Sequence, residues 1–164
     1  MLRRAHKSCR CSIKRAIREG VVVRAATSQN EWKSYYEIYH DSLRRWGKRS
    51  RSSYPWDLFE EMLNRHSPHI KLWLAYLREK AIAGALCFYT KEHAVYWHGG
   101  APSDFFSSQP VNLLMYEIVK DACTRGCWWF DFNPSHSLEG VRAFKKSFGT
   151  EALACPVVVS ELDG

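Results

Sequence analysis

The segment EGVRAFKKSFGTE, residues 139–151, sets two lysines, Lys145 and Lys146, between Phe144 and Phe148. A cation held beside a cleft can do two kinds of chemistry. It can stabilise the negative charge that builds on a carbonyl oxygen under attack, or it can hold a phosphate. The phenylalanines read as anchors of a short helix, with Lys145 facing a ligand; the plainer alternative is a lysine on the solvated end of that helix. His98 and Asp131 are the right types for a base and its partner. Asp131 lies among aromatics in WWFDF, however, where a carboxylate more often accepts from backbone donors at a strand end. Ser135, His136 and Asp131 have the types of a hydrolytic triad, but they crowd together in sequence without a nucleophile elbow, which argues against that chemistry.

Six cysteines raise the question of a metal. Cys9 and Cys11 form C-x-C, Cys123 and Cys127 form C-x3-C, and Cys87 and Cys155 stand alone in apolar runs. A zinc site normally matches such a pair with a second pair or with spaced histidines. No second pair has suitable spacing, so free thiols and no metal site are expected. Unpaired thiols without a secretory signal favour a reducing, cytoplasmic setting.

The charge of +7 is unevenly spread: residues 1–20 carry seven basic residues and one acidic, whereas 21–164 carry 17 and 16. Arg10, Lys14 and Arg18 fall at i, i+4 and i+8 on one helical face. Arg10 and Lys14 are therefore candidates for phosphate contact, in nucleic acid, a nucleotide-linked substrate or anionic lipid; a solvated helix face is the alternative. The Arg-rich, acid-poor start loosely suits a transit peptide but has no apolar core for a secretory signal. No apolar run approaches the roughly 20 residues of a membrane helix, so no stable membrane insertion is expected.

The elements that must position these residues follow from pattern. At 46% hydrophobic and 25% charged, a chain of 164 residues suits one globular domain with a real core. The spacing predicts a helix over 5–19, docked through Ile13 and Ile17 and closed by Gly20. A strand over 21–26 follows. Ser28 and Glu31 have capping-box spacing for the next helix, which leads into a basic loop, RRWGKRSRSSYP. A short helix over 56–66 would turn Leu58, Phe59, Met62 and Leu63 inward. Strands over 70–77, 81–90 and 94–102 have short connections and form an antiparallel meander, the third breaking at Gly99-Gly100. Residues 110–126 read as the best helix, with Pro110 in its first turn and Gly126 at its end. A strand over 128–132, a loop with a short helix, and a final strand over 152–160 complete the order. Strand–helix–strand alternation in the last third implies parallel pairing there. The fold class is α/β, a mixed, mostly antiparallel sheet covered by helices. Residues 1–19 form a basic helix and 20–164 a single domain.

Three stretches, IKRAIREGVVVR, QPVNLLMYEIVKDACTRGCWWFDF and SHSLEGVRAFKKSFGTE, resemble in order and spacing the FemAB family, which belongs to the GNAT acyltransferase superfamily. Members join amino acids to peptidoglycan precursors in cell-wall synthesis, using aminoacyl-tRNA, and usually carry two GNAT-like halves. The likeness covers about residues 8–155 and matches the second half. It implies a partner in an N-terminal half, in another chain, or in a second copy of this one. It also implies roles for particular residues. Phe144 and Lys145 match the family's Phe-Lys pair, whose lysine faces the donor. Arg51 and Tyr54 match an arginine and tyrosine used against the diphosphate of the nucleotide-linked acceptor, with Arg49 competing for the arginine position. Tyr96 falls on the strand that lines the central cleft.

Acetyl-CoA-using GNAT domains carry a glycine-rich loop whose backbone N–H groups reach the pyrophosphate. The equivalent stretch here, SDFFSSQPVNLL, has no glycine from Ser103 to Leu114. No cofactor is firmly implied; aminoacyl-tRNA suits the loop better as donor than acetyl-CoA. Two other functions stay open: a non-catalytic module binding nucleic acid or a partner chain, and a CoA-dependent N-acetyltransferase. No aromatic residue interleaves with the basic residues of 1–20, which weakens single-strand stacking by that helix.

Overall fold

The computed structural model describes residues 4–47, 53–135 and 138–154. The chain starts with α1 (Lys7–Arg18), whose C-terminus is closed as expected by Gly20 at φ +83°. The Gly20 N–H reaches the Ile17 carbonyl and the Val21 N–H the Ala16 carbonyl, both at 3.0 Å, the paired bonds of a left-handed C-terminal cap. Cys9, Ile13 and Ala16 dock the helix, but Ile17 is 56% exposed, which corrects one of the two expected anchors. At about 100° per residue, the three docked residues span about 60° of the helix circumference and Ile17 lies further round.

After β1 (Val22–Ala25), helix α2 (Gln29–Trp46) begins at the expected capping box of Ser28 and Glu31. Helix α3 (Trp56–Asn64) buries Phe59, while Leu58, Met62 and Leu63 are only half-buried. The meander is β2 (Ile70–Leu77), β3 (Lys80–Tyr89) and β4 (His93–Gly100). A short 3-10 helix (Ser103–Ser108) leads to α4 (Pro110–Thr124), and β5 (Trp129–Asp131) and α5 (Glu139–Ser147) follow.

The sheet order is β1-β2-β3-β4-β5, antiparallel except for the parallel β4–β5 pair. The mixed, mostly antiparallel sheet and its helical cover match the sequence reading. Among the described residues β5 pairs with β4 and β3 lies at the middle of the sheet. Two details differ. Strand β4 continues through Gly99 and Gly100, which pair with Ala85 and Gly84. Residues 152–154 carry no strand, and the rest of the expected final strand lies outside the described residues.

The sheet has two packed faces. Ala83, Ala85, Cys87 and Tyr89 of β3 share a core with α1 and with Leu113, Met115 and Ile118 of α4. Leu72, Leu74 and Leu86 face Trp32, Tyr35 and Tyr39 of α2 and Phe59 of α3. Gly84 is required where α2 crosses: a Cβ there would stand 2.3 Å from Cδ2 of Tyr35.

Candidate functional site

A bulge in β4 shapes the site. Tyr96 pairs with Cys87 and His98 with Leu86, leaving Trp97 as an extra residue. Alternation along a strand would turn His98 to the face that Tyr96 occupies. The bulge reverses this. Tyr96 packs with the α1–α4 core, while Trp97 packs on the α2–α3 side.

There the His98 ring enters an aromatic room. It stacks with Tyr39 at 4.8 Å and with Tyr35 at 5.7 Å between centroids, and Trp97 lies at 4.3 Å. The Tyr35 hydroxyl donates to the His98 carbonyl at 3.0 Å and also meets Nδ1. A hydroxyl has one proton; with it on the carbonyl, Nδ1–H donates to the Tyr35 oxygen, and Nε2 carries the free lone pair. That Nε2 is buried and has no hydrogen-bond partner among the described residues. Burial lowers the His98 pKa to about 4, so the ring is neutral at physiological pH. Asp131 is not its partner: a carboxylate oxygen of Asp131 accepts from the Asn133 N–H at 2.7 Å. This corrects the pairing of His98 with Asp131 and agrees with the strand-end role.

On the other side of β4, pairing with β5 ends at Val95 and Asp131. Beyond that point the strands part and a side chain fills the place of the ladder. Nδ2 of Asn133 donates to the Trp97 carbonyl at 3.2 Å. The Asn133 carbonyl in turn accepts from Nζ of Lys145 at 2.7 Å, and Lys145 also donates to the Pro134 carbonyl at 3.2 Å. Lys145 is 8% exposed. Burial lowers its pKa, and the negative charge of Asp131 works against that. The solvated helix-end reading therefore fails for Lys145 and holds for Lys146, which is exposed. Two of the three ammonium protons bind loop carbonyls, so the charge is held in place at the end of the β4–β5 split.

The structure divides the other candidates between these two sides. Tyr54 belongs with His98: its ring lies 4.9 Å from Trp97, and its N–H donates to the Tyr39 hydroxyl at 3.1 Å. Tyr96 is hemmed in by protein, which raises its phenol pKa, and keeps some surface open to solvent. Phe144 packs on Phe148 at 5.2 Å and anchors α5. Arg10 is half-buried and donates to the Ala5 carbonyl at 2.5 Å, so it is less free than expected; Lys14 is exposed. Arg51 and the competing Arg49 lie outside the described residues. Those residues hold no group of three or more His, Cys, Asp or Glu that could bind a metal, and no helix long and apolar enough to cross a membrane.

The approach to α4 is the stretch without glycine, Ser103 to Leu114. The Phe105 N–H bonds the Pro102 carbonyl, that of Gln109 the Phe106 carbonyl, and that of Asn112 the Gln109 carbonyl. Pro110 has no N–H and is fully buried. Beside this loop, an open cavity of about 500 Å³ mixes Glu19 with Arg78 and Lys80, and Lys80 lies over the Phe105 ring. The loop thus uses these N–H groups internally and forms no glycine cradle for a pyrophosphate.

Sequence reasoning missed Tyr35, Tyr39 and Asn133 as site residues. Asn-Pro at 133–134 is a turn signal, and Asn133 does take a left-handed φ of +60°. The two tyrosines carried no signal beyond helical core spacing.

No curated protein sequence matches the chain. Its structure is similar to FemX, with a TM-score of 0.77 and 16% identity, over 92% of this chain and 55% of that one; the chain thus spans about half of FemX. It is also similar to an aminoglycoside antibiotic 6'-N-acetyltransferase from Acinetobacter baumannii, with a TM-score of 0.69 and 14% identity, over 88% of this chain and 100% of that one. A third similar structure is AAC(6')-Iy in complex with the bisubstrate analog CoA-S-monomethyl-acetylneamine, with a TM-score of 0.67 and 13% identity, over 87% of this chain and 98% of that one. The model of the acetyltransferase (GNAT) domain matches residues 3–146, which shows that the chain belongs to the GNAT acetyltransferase domain family.

Proposed function

We propose that the chain is the acyl-transferring part of a FemAB-type enzyme, moving an aminoacyl group from aminoacyl-tRNA to an amine of a nucleotide-linked or phosphate-bearing acceptor such as a peptidoglycan precursor, in the cytoplasm. The observation that carries the choice of donor is the glycine-free stretch before α4, where the Phe105, Gln109 and Asn112 N–H groups bond neighbouring carbonyls and Pro110 is buried. A GNAT fold without a pyrophosphate cradle suits an ester donor held by other contacts. The likeness to FemX, over about half of that protein, agrees. A complete enzyme then includes a second half or a partner chain.

In this reading the acceptor nitrogen attacks the ester carbonyl carbon. A C–N bond forms, the C–O bond to the donor breaks, the nitrogen loses a proton and the leaving oxygen gains one. Lys145 contributes a positive charge held in place near the oxygen that becomes negative. Tyr96, whose phenol burial keeps protonated, donates to the leaving oxygen. Tyr54 and Arg51 contact the acceptor's phosphates, and Phe144 orients α5. Arg10 and Lys14 add positive potential for the donor's phosphates.

Calorimetric titration with acetyl-CoA tests the donor assignment. No 1:1 site of micromolar strength is expected. A clear site of that strength revives CoA-dependent N-acetyl transfer and removes the argument for tRNA.

A further inference from the structure

We propose that Asn133 is a positioning residue that sets the separation of β4 and β5 at the cleft and fixes the Lys145 ammonium there. The kinetic consequence rests on the transfer reading above; the structural consequence does not.

Where two strands part, their facing carbonyls lose the ladder that satisfied them, and a buried backbone group left unpaired is unfavourable. The pairing of β4 with β5 ends at Val95 and Asp131, two residues short of Trp97 and Asn133. The Asn133 amide closes that gap by donating to the Trp97 carbonyl. The same residue receives Lys145 Nζ on its own carbonyl, and its N–H bonds Asp131. Asn133 thus links β4, the end of β5 and α5, and does so at the bulge that separates Tyr96 from His98. A simple turn asparagine would bond only its own neighbours. This one bridges to a residue 36 positions away.

The residue type meets two demands together. The backbone has φ +60°, which asparagine, aspartate and glycine tolerate better than most residues. The bridge needs a side-chain donor, which aspartate and glycine lack. Asparagine alone of the three meets both.

The test uses Asn133→Gly, which keeps the backbone conformation, and Asn133→Asp, which also keeps the side-chain size but replaces the donor with an acceptor. Amide hydrogen exchange on the full chain is the first readout. Amides of 96–100 should exchange about tenfold faster in both variants, with β2 and α4 unchanged. The second readout is aminoacyl transfer by the complete enzyme. There kcat should fall about tenfold with the acceptor KM little changed, because the loss is in alignment. Exchange at the native rate in both variants, or a rise spread evenly over the sheet, overturns the bridge. Faster local exchange with unchanged kcat overturns its role in the reaction. If the unaltered enzyme transfers nothing from any donor, the functional reading fails, and the exchange result still decides the bridge.

Discussion

The two sides of β4 treat their buried polar groups in opposite ways. On the side of α5, Trp97, Asn133, Pro134 and Lys145 form a continuous set of hydrogen bonds. On the side of α2 and α3, His98 has one ring nitrogen engaged with Tyr35 and the other buried without a partner among the described residues. One residue, the extra Trp97 of the bulge, separates them. The first arrangement fixes a charge and the second keeps a group neutral. The bulge thus lets β4 join, through the Trp97 carbonyl, the bonds that hold the Lys145 ammonium, while the His98 ring next to it turns into an aromatic room.

The largest effect that would break this comparison concerns the cation. Lys145→Met should lower transfer by roughly 10²–10³, the loss typical of one removed stabilising donor, whereas Lys146→Met should change it little. Lys145→Met also leaves two loop carbonyls without their donor, which lowers stability by about 1–3 kcal/mol; a melting curve measures that part. Equal losses from both lysines would reduce the pair to a basic patch, and a loss of activity matched by collapse of the fold would reduce Lys145 to a structural clamp.

The next effect sharpens the neutral side. With its folded pKa lowered to about 4 from an ordinary 6.5, His98 stays unprotonated in the folded chain between those values while the unfolded chain takes up the proton. Stability should therefore fall as pH drops through that window, by about 3 kcal/mol in full. Glu31, whose desolvation is outweighed by the backbone N–H groups of Thr27 and Ser28 and the Tyr76 hydroxyl so that it sits at about 2, loses its own contribution as pH falls from its ordinary 4.5 toward that value. Thermal melts between pH 6.5 and 4.5 thus isolate the histidine. His98→Gln should flatten that slope, and an unchanged slope would contradict the neutral ring.

Tyr35→Phe should have a smaller effect. It removes the donor to the His98 carbonyl and the partner of Nδ1, for a loss of about 1–2 kcal/mol in denaturant unfolding. No loss would mean that the tyrosine only fills space. The smallest effect is expected far from β4: Lys14→Gln should leave stability within about 0.5 kcal/mol and lower the salt dependence of donor binding by about one phosphate contact. An unchanged salt slope would remove α1 from the donor site.

The sequence revealed most of the frame and little of the site. Ser28 and Glu31, Gly20, Pro110 and the short turns of the meander carry local signals, because caps and turns are decided by a few adjacent residues. Ile17 misled because helical spacing defines a stripe without saying how wide the docked part is. The bulge at Trp97 left no readable mark, since it depends on which residues of β3 lie opposite, and alternation alone puts His98 on the wrong face. Lys145 was recognisable as unusual but not as buried: its partners are carbonyls of Asn133 and Pro134, brought to it by the turn after β5. Long-range backbone acceptors have no sequence signature.

The most direct measurement is a transfer assay on the complete enzyme, with aminoacyl-tRNA and acetyl-CoA offered separately and then together. The account predicts turnover with the aminoacyl donor, none with acetyl-CoA, and no inhibition when acetyl-CoA is added at micromolar concentration. Acetyl transfer, or strong competition by acetyl-CoA, would contradict it.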